Sequence, residues 1–316
     1  MKQHPVFSDY EFKHEARSPY VIFVEHAGKQ TEAKEKEARK IVTRNANILE
    51  SLYRQFHDTF GKRFDLPQIS ELDRPEQRTL KVFTFFNEKS FHDYQIKIRN
   101  QLPPGVRAYY RPSDQWITLY EGHGFEKAVQ ASTGTDFNTN KIFHEGLHQL
   151  IHAYTKVVME RELGEEVLYN DPRCRSRLMW FQEGTAELFG SCKLLDDGMY
   201  KCMVPYESRA REWFQTRQRK LSDWSFKEMM EVGGGGDLNR RSALKGMGRD
   251  AGRLSSLFYA QAWHWVYFLW SHENGKYREK YLEYAGKELS GRSGPAEFKK
   301  VWGEGDDDWS FKEMME

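Results

Sequence analysis

Five residues near the middle of the chain combine two imidazoles and a carboxylate at a spacing that suits a metal ion. The segment HEGLH, residues 144–148, matches the pattern H-E-x-x-H. In a helix, residues four apart project from the same side, so His144 and His148 can bind one ion while Glu145 reaches a water molecule on it. The surrounding residues are largely apolar, and burying polar groups there without a ligand would be costly. The pattern therefore predicts a metal site on a partly buried helix.

A second segment offers the ligand that such a site still needs. A catalytic zinc ion has three protein ligands and one position open to water, and residues 180–187, WFQEGTAE, contain two carboxylates one helical turn apart. Glu183 would complete a His-His-Glu set, and Glu187 would accept a hydrogen bond from the outer ring nitrogen of a ligating histidine. His152, one turn beyond His148, is expected to be packed or exposed, because a third histidine along one helix points past the ion.

The two motifs together resemble those of the gluzincin metallopeptidases, in particular the peptidase MA-like group. The resemblance covers most of residues 10–300 and includes the segments YYRPSDQWITLY and FYAQAWHWVYFL. It implies a zincin-type active-site helix with these site residues: Zn²⁺ ligands His144, His148 and Glu183, and general base Glu145. By the same resemblance, Tyr259 is a candidate hydrogen-bond donor to the oxyanion, with His264 as its rival. The alternative for both is packing in an aromatic helix.

The elements that must position these residues indicate an α+β fold. Residues 19–25 and 80–86 are β-branched and aromatic, as in buried strands, and residues 109–120 fit a β-hairpin. Residues 31–60 have the apolar spacing of an amphipathic helix. Both motifs and the later segments 256–270 and 276–289 are predicted to be helical. We therefore expect a small N-terminal β-sheet with helices, followed by a predominantly helical C-terminal half.

We expect a domain boundary near residue 130, with an α+β sheet subdomain in residues 1–130 and a mainly helical catalytic subdomain in residues 131–316. Residues 232–254 are rich in glycine and locally basic, which predicts a flexible loop. The nine residues DWSFKEMME occur at 223–231 and again, identically, at 308–316. Each copy can form a helix with a capping box. A local duplication is the favoured interpretation of the repeat, and a docking motif is the alternative.

The composition narrows the classes of partner. The chain has 316 residues with 48 Lys and Arg against 47 Asp and Glu, a net charge of +1, so no overall field favours nucleic acid. The mean hydropathy of −0.81 predicts no membrane span. The first twenty residues have no apolar stretch, so no signal peptide is expected, and the compartment and oligomeric state stay open. The three cysteines lack a metal-binding spacing and are expected to be reduced.

These observations predict a zinc-dependent peptidase acting on a peptide or protein substrate. An extended substrate could add to a sheet edge near residues 116–120, with Trp116, Thr118 and Tyr120 as contacts. Two alternatives stay open. The chain could be a catalytically silent binding or scaffold module that retains zinc, or the H-E-x-x-H pattern could have arisen by chance.

Overall fold

The computed structural model describes residues 12–25, 31–100, 102, 106–121, 137–168, 170–218 and 223–302. The fold is α+β, as predicted, with an N-terminal five-stranded sheet and a mostly helical second half. The chain divides into two units, Met1–Ala153 with Lys193–Lys201, and Tyr154–Cys192 with Cys202–Glu316. The boundary predicted at residue 130 therefore differs from this division, because the first unit continues into the helix that carries HEGLH.

The sheet of the first unit contains three parallel central strands flanked by two antiparallel ones. Its strands are β1 (Phe12–Arg17), β2 (Tyr20–Glu25), β3 (Leu80–Phe85), β4 (Ala108–Arg111) and β5 (Trp116–Tyr120), in the spatial order β1-β2-β3-β5-β4. The hairpin expected in residues 109–120 is confirmed as the β4–β5 pair. Strand β1 was not expected, because its sequence FKHEAR has no β-branched residue and only one aromatic residue, Phe12.

Two helices accompany this sheet. Helix α1 (Glu32–Phe56) continues into a π-helical turn, His57–Gly61, and confirms the long amphipathic helix. Its apolar face, which includes Ile48, Leu49 and Leu52, is fully buried and packs on β2. Helix α2 (Glu88–Lys97) begins at Asn87, whose side chain accepts a hydrogen bond from the Ser90 amide. A short hairpin, β6 (Lys193–Leu194) and β7 (Tyr200–Lys201), completes the first unit and contacts α1.

The HEGLH motif lies in the longest helix, α3 (Phe137–Leu163). It runs for 27 residues, since no proline interrupts it and Gly146 is its only glycine. Ile142, Phe143, Leu147 and Leu150 are completely buried, which confirms that the helix is buried around the motif. Residues up to Ala153 belong to the first unit and the rest to the second.

The second unit is built from helices packed around one central member. They are α4 (Met179–Gly190), α5 (Glu207–Gln218), α6 (Phe226–Glu231), α7 (Gly235–Lys245), α8 (Ala251–Ser271), α9 (Arg278–Leu289) and α10 (Pro295–Trp302). Helix α8 is the central one and contacts α4, α5, α7 and α9. Its sequence is mostly apolar and aromatic, so it can be buried on several sides.

The flexible loop predicted for residues 232–254 is wrong over much of its length. Residues Gly235–Lys245 form α7, and α8 begins at Ala251. Leu238 and Ser242 of α7 are buried, and the helix packs on α8. Tertiary packing therefore outweighs the low helix propensity of the glycines at its start.

Three further predictions concern the repeated segment, the cysteines and a membrane span. The first DWSFKEMME copy forms α6 with the expected capping box between Ser225 and Glu228, whereas residues 308–316 lie outside the described residues. Cys174, Cys192 and Cys202 form no disulfide. In the described part of the chain, no helix combines the length and apolar character needed to cross a membrane.

Candidate metal centre

The two histidines of HEGLH converge as their spacing predicts. His144 and His148 lie on successive turns of α3, with their Nε2 atoms 3.1 Å apart. Both side chains are buried, at 6% and 8% exposure. Two nitrogen ligands of a tetrahedral zinc ion, each at about 2.0–2.1 Å from it, lie roughly 3.3 Å apart. The observed separation therefore suits two ligands of one ion.

A carboxylate completes the group. His144, His148 and Glu183 each offer one ligand atom, and these atoms all lie within 4.8 Å of one another. Among the described residues, this is the only group of three or more His, Cys, Asp or Glu side chains so arranged. Glu183 lies in the first half of α4 and is partly exposed. Two imidazoles and one carboxylate form a donor set typical of catalytic zinc, which leaves a fourth position for water.

Glu145 is held by the neighbouring strand. The backbone N–H of Tyr110, in β4, donates a hydrogen bond of 2.7 Å to Oε2 of Glu145. Among the described strands, β4 pairs with β5 alone. Alternate residues of an antiparallel strand direct their backbone groups away from the partner. The Tyr110 amide thus orients the carboxylate of Glu145 from the edge of the sheet.

His152 has a structural partner instead of a place among the candidate ligands. Its Nδ1 lies 2.9 Å from the hydroxyl of Tyr110, and the residue is buried at 5% exposure. It is not part of the three-residue group described above. Of the two positions expected for His152, packed or exposed, the structure shows the packed one. Tyr110 contacts α3 at two points, through its backbone at Glu145 and through its side chain at His152.

The glycines of both motifs lie where helices approach closely. A Cβ atom on Gly146 would be 2.6 Å from Cδ2 of Leu52 in α1. A Cβ atom on Gly184 would be 2.3 Å from the carbonyl oxygen of Ala262 in α8. Atoms this close overlap, so a larger residue would force a shift at either position. At Gly184 the obstacle is backbone, whereas at Gly146 it is the end of the Leu52 side chain. Gly146 and Gly184 therefore help to position the adjacent residues Glu145 and Glu183.

Glu187 has a partner that the sequence did not reveal. Its carboxylate accepts two hydrogen bonds from Arg209 of α5, at 3.1 Å from Nε and 2.5 Å from Nη2. Arg209 also binds Glu212 at 2.8 Å. Burial would lower the pKa of Arg209, but the charges of Glu187 and Glu212 raise it well above its ordinary value. The guanidinium is therefore a permanent cation in this cluster. The hydrogen bond predicted from a histidine to Glu187 stays a prediction.

The two candidate oxyanion donors have different surroundings on α8. The Tyr259 ring lies 6.0 Å from the guanidinium carbon of Arg209, beside the ion-pair cluster. The His264 ring lies 4.4 Å from the ring of Trp213 in α5. Both residues are partly exposed. Their roles stay predictions. Arg209 was missed because nothing in the local pattern of α5 distinguishes a buried arginine from its exposed neighbours.

The substrate edge expected at residues 116–120 is wrong. Strand β5 lies between β3 and β4 and is paired on both sides, so it has no free edge. Thr118 and Tyr120 are buried at 1% and 5% exposure, and the Trp116 ring packs 4.8 Å from that of Phe83. The hairpin places β4 outside β5, and β4 is the edge strand on this side of the sheet.

No known protein family matches this chain, and a search of curated proteins also found no match.

Proposed function

We propose that this protein is a zinc-dependent peptidase. The observation that carries the proposal is the convergence of His144, His148 and Glu183 within 4.8 Å, with Glu145 next to the first of them. A structural zinc site usually has four protein ligands, whereas a catalytic site has three and an open position. The donor set and the position of Glu145 support the catalytic alternative, and hydrolysis of a peptide bond is the reaction that the gluzincin resemblance implies.

Each side chain has a definite task in this proposal. Zinc bound by His144, His148 and Glu183 would supply a Lewis acid and a water molecule with a pKa lowered to about 7. Glu145 accepts the proton of that water and passes it to the leaving amine. The Tyr110 amide donates to Oε2 of Glu145 and so orients the carboxylate that takes this proton. Glu145 is needed for this proton transfer but not for holding metal.

The edge strand suggests how an extended substrate could be presented. Among the described strands, β4 is the edge of the sheet next to β5, and its Tyr110 amide is hydrogen-bonded to Glu145. A peptide that pairs with β4 would be fixed through its backbone, with little reading of its sequence. Tyr259 or His264 would donate to the developing oxyanion, a contribution of about 3 kcal/mol for such donors.

Zinc content and proteolysis together test the proposal. We expect about one zinc per chain by mass spectrometry of protein purified without added metal. H148A should lose zinc, while H152A on the same helix face should keep it, since His152 contacts Tyr110 instead. E145Q should retain zinc and lose hydrolysis of a peptide library. Equal zinc loss in H148A and H152A, or unchanged hydrolysis by E145Q, would refute the assignment.

The alternative function makes a distinct prediction in the same experiment. A silent module would bind one zinc per chain, lose it in H148A, and yet cleave no member of the library in its unmodified form. Absence of zinc binding by the unmodified chain would instead leave the H-E-x-x-H pattern as a coincidence.

A further inference from the structure

The repeated segment DWSFKEMME has a specific docking site in the second unit. The first copy spans residues 223–231. Asp223 and Trp224 precede Ser225, which caps helix α6. Trp224 is inserted into a site that we call the Trp224 cradle, formed by Lys245 of α7 and by Leu254, Phe258 and Gln261 of α8. The side chain of Trp224 is only 2% exposed there.

The cradle recognises both the backbone and the side chain of Trp224. Gln261 accepts from the Trp224 amide at 2.9 Å and donates to its carbonyl oxygen at 3.1 Å. The indole N–H donates to the carbonyl oxygen of Leu254 at 2.9 Å. Phe258 meets the indole edge to face, with ring centroids 5.8 Å apart. These contacts satisfy every hydrogen-bonding group of a buried tryptophan.

Two further residues of the segment strengthen the contact. Lys245 binds the carboxylate of Glu228 at 2.8 Å and lies 5.0 Å from the centre of the Trp224 ring. Phe226 packs against Trp265, with ring centroids 5.1 Å apart, and against Phe298, at 6.0 Å. The second copy, residues 308–316, has Trp309, Phe311 and Glu313 in the corresponding places. It therefore offers the cradle an identical set of groups.

We propose that residues 308–316 are a second ligand for the Trp224 cradle and exchange with residues 223–231 of the same chain. Because the two copies are identical, the free energy of their direct contacts with the cradle cancels. Occupancy is then set only by how the copies are tethered, that is, by their effective concentrations at the site. The exchange makes α6 a displaceable segment.

The second copy follows a helix that packs against the first copy. The Trp302 ring, in the last turn of α10, packs 5.5 Å from Phe298, whose ring in turn contacts Phe226. Five residues, 303–307, separate Trp302 from the second copy. Extended chain spans up to about 3.4 Å per residue, so this linker reaches about 17 Å. A tether of this length gives an effective concentration on the order of millimolar, which favours docking within one chain.

Hydrogen exchange measured by mass spectrometry on the full chain tests the proposal, because peptides from the two copies can be followed separately by their flanking residues. W224A weakens the first copy and leaves the second intact. We expect amide exchange in residues 308–316 to slow about tenfold or more in W224A. The double variant W224A/W309A should lose that protection, and W309A alone should leave residues 223–231 protected. Equally fast exchange of residues 308–316 in W224A and W224A/W309A would overturn the proposal.

A milder pair of variants covers the case in which W224A does not fold. E228K places a lysine beside Lys245 in the first copy, and E313K is the matched change in the second. Residues 308–316 should gain protection in E228K and not in E228K/E313K. Protection that grows with protein concentration, together with a dimer mass by light scattering, would overturn docking within one chain. Unchanged exchange of residues 308–316 in a folded E228K variant would overturn the exchange itself.

Discussion

Gly184 offers a direct test of how the helix that carries Glu183 is positioned. In G184A the new Cβ atom would lie 2.3 Å from the carbonyl oxygen of Ala262 and 2.6 Å from Cγ2 of Val266. Ordinary van der Waals contact begins near 3.4 Å, so α4 and α8 must separate by about 1 Å. The nearest obstacle is backbone, which cannot rotate away as a side chain can.

The expected cost follows from two opposing terms. Overpacking of a well-packed core costs about 1–3 kcal/mol, and a backbone obstacle places G184A at about 3 kcal/mol. Replacing glycine by alanine within a helix recovers about 1 kcal/mol. The net loss is about 2 kcal/mol, which corresponds to a fall of about 4–8 °C in Tm for a unit of this size.

Gly252 provides a matched control for this substitution. It lies in the first turn of α8, and a Cβ atom there would meet nothing within 4 Å. G252A should therefore raise the free energy of unfolding by about 0.5–1 kcal/mol. Urea unfolding followed by circular dichroism measures both variants. If G184A proves as stable as the unmodified chain while G252A behaves as expected, the close approach of α4 and α8 is refuted.

Three further predictions concern other contacts. G146A should destabilise the fold, because its new Cβ atom would meet Cδ2 of Leu52. In a double-mutant cycle, L52V removes that atom and should recover about 1 kcal/mol of the loss. R209M should cost about 3 kcal/mol in urea unfolding, because it breaks the buried ion pair with Glu187. R211M, at an exposed position of α5, should change the stability little. Burial raises the pKa of Glu288 from 4.5 to about 7. The folded chain therefore keeps a proton that the unfolded chain releases, so the free energy of unfolding falls as the pH rises from 4.5 to 7. E288Q should remove most of this fall, about 3 kcal/mol between pH 4.5 and 8.

Each of these predictions has an outcome that contradicts it. Additive effects of G146A and L52V would mean that the two residues do not meet. A stable R209M variant would show that the ion pair with Glu187 contributes little to folding. An E288Q variant whose stability depends on pH as steeply as that of the unmodified chain would place the titration elsewhere.

The candidate ligands on α3 were predictable because their geometry is local. The direction of a side chain from a helix depends on its position within the turn, so the spacing of His144 and His148 determines their convergence once the helix forms. The amphipathic pattern of α1 and the capping box of α6 are local in the same sense. Glu183 could be predicted as a ligand only with the additional argument that a catalytic zinc site has a third protein ligand.

Contacts between residues distant in sequence account for the errors. Strand β5 was assigned to an edge because the hairpin was recognised without the sheet order, which depends on pairing with β3 some 35 residues earlier in the chain. Helix α7 was missed because its glycines suggest a loop, whereas its packing on α8 decides its conformation. The partner of Glu187, Arg209, lies 22 residues away and is one of several arginines in a polar helix.

The sequence by itself determined the elements whose signals repeat within a few residues: the helices of both motifs, four of the five strands of the sheet, two of them in the hairpin, and the pair of histidines. Only the tertiary structure decided which strand forms the edge, which amide orients Glu145, and why Gly184 must be glycine. The physical reason is that these features arise from contacts between separate elements. The residue pattern of one element does not specify which other element packs against it.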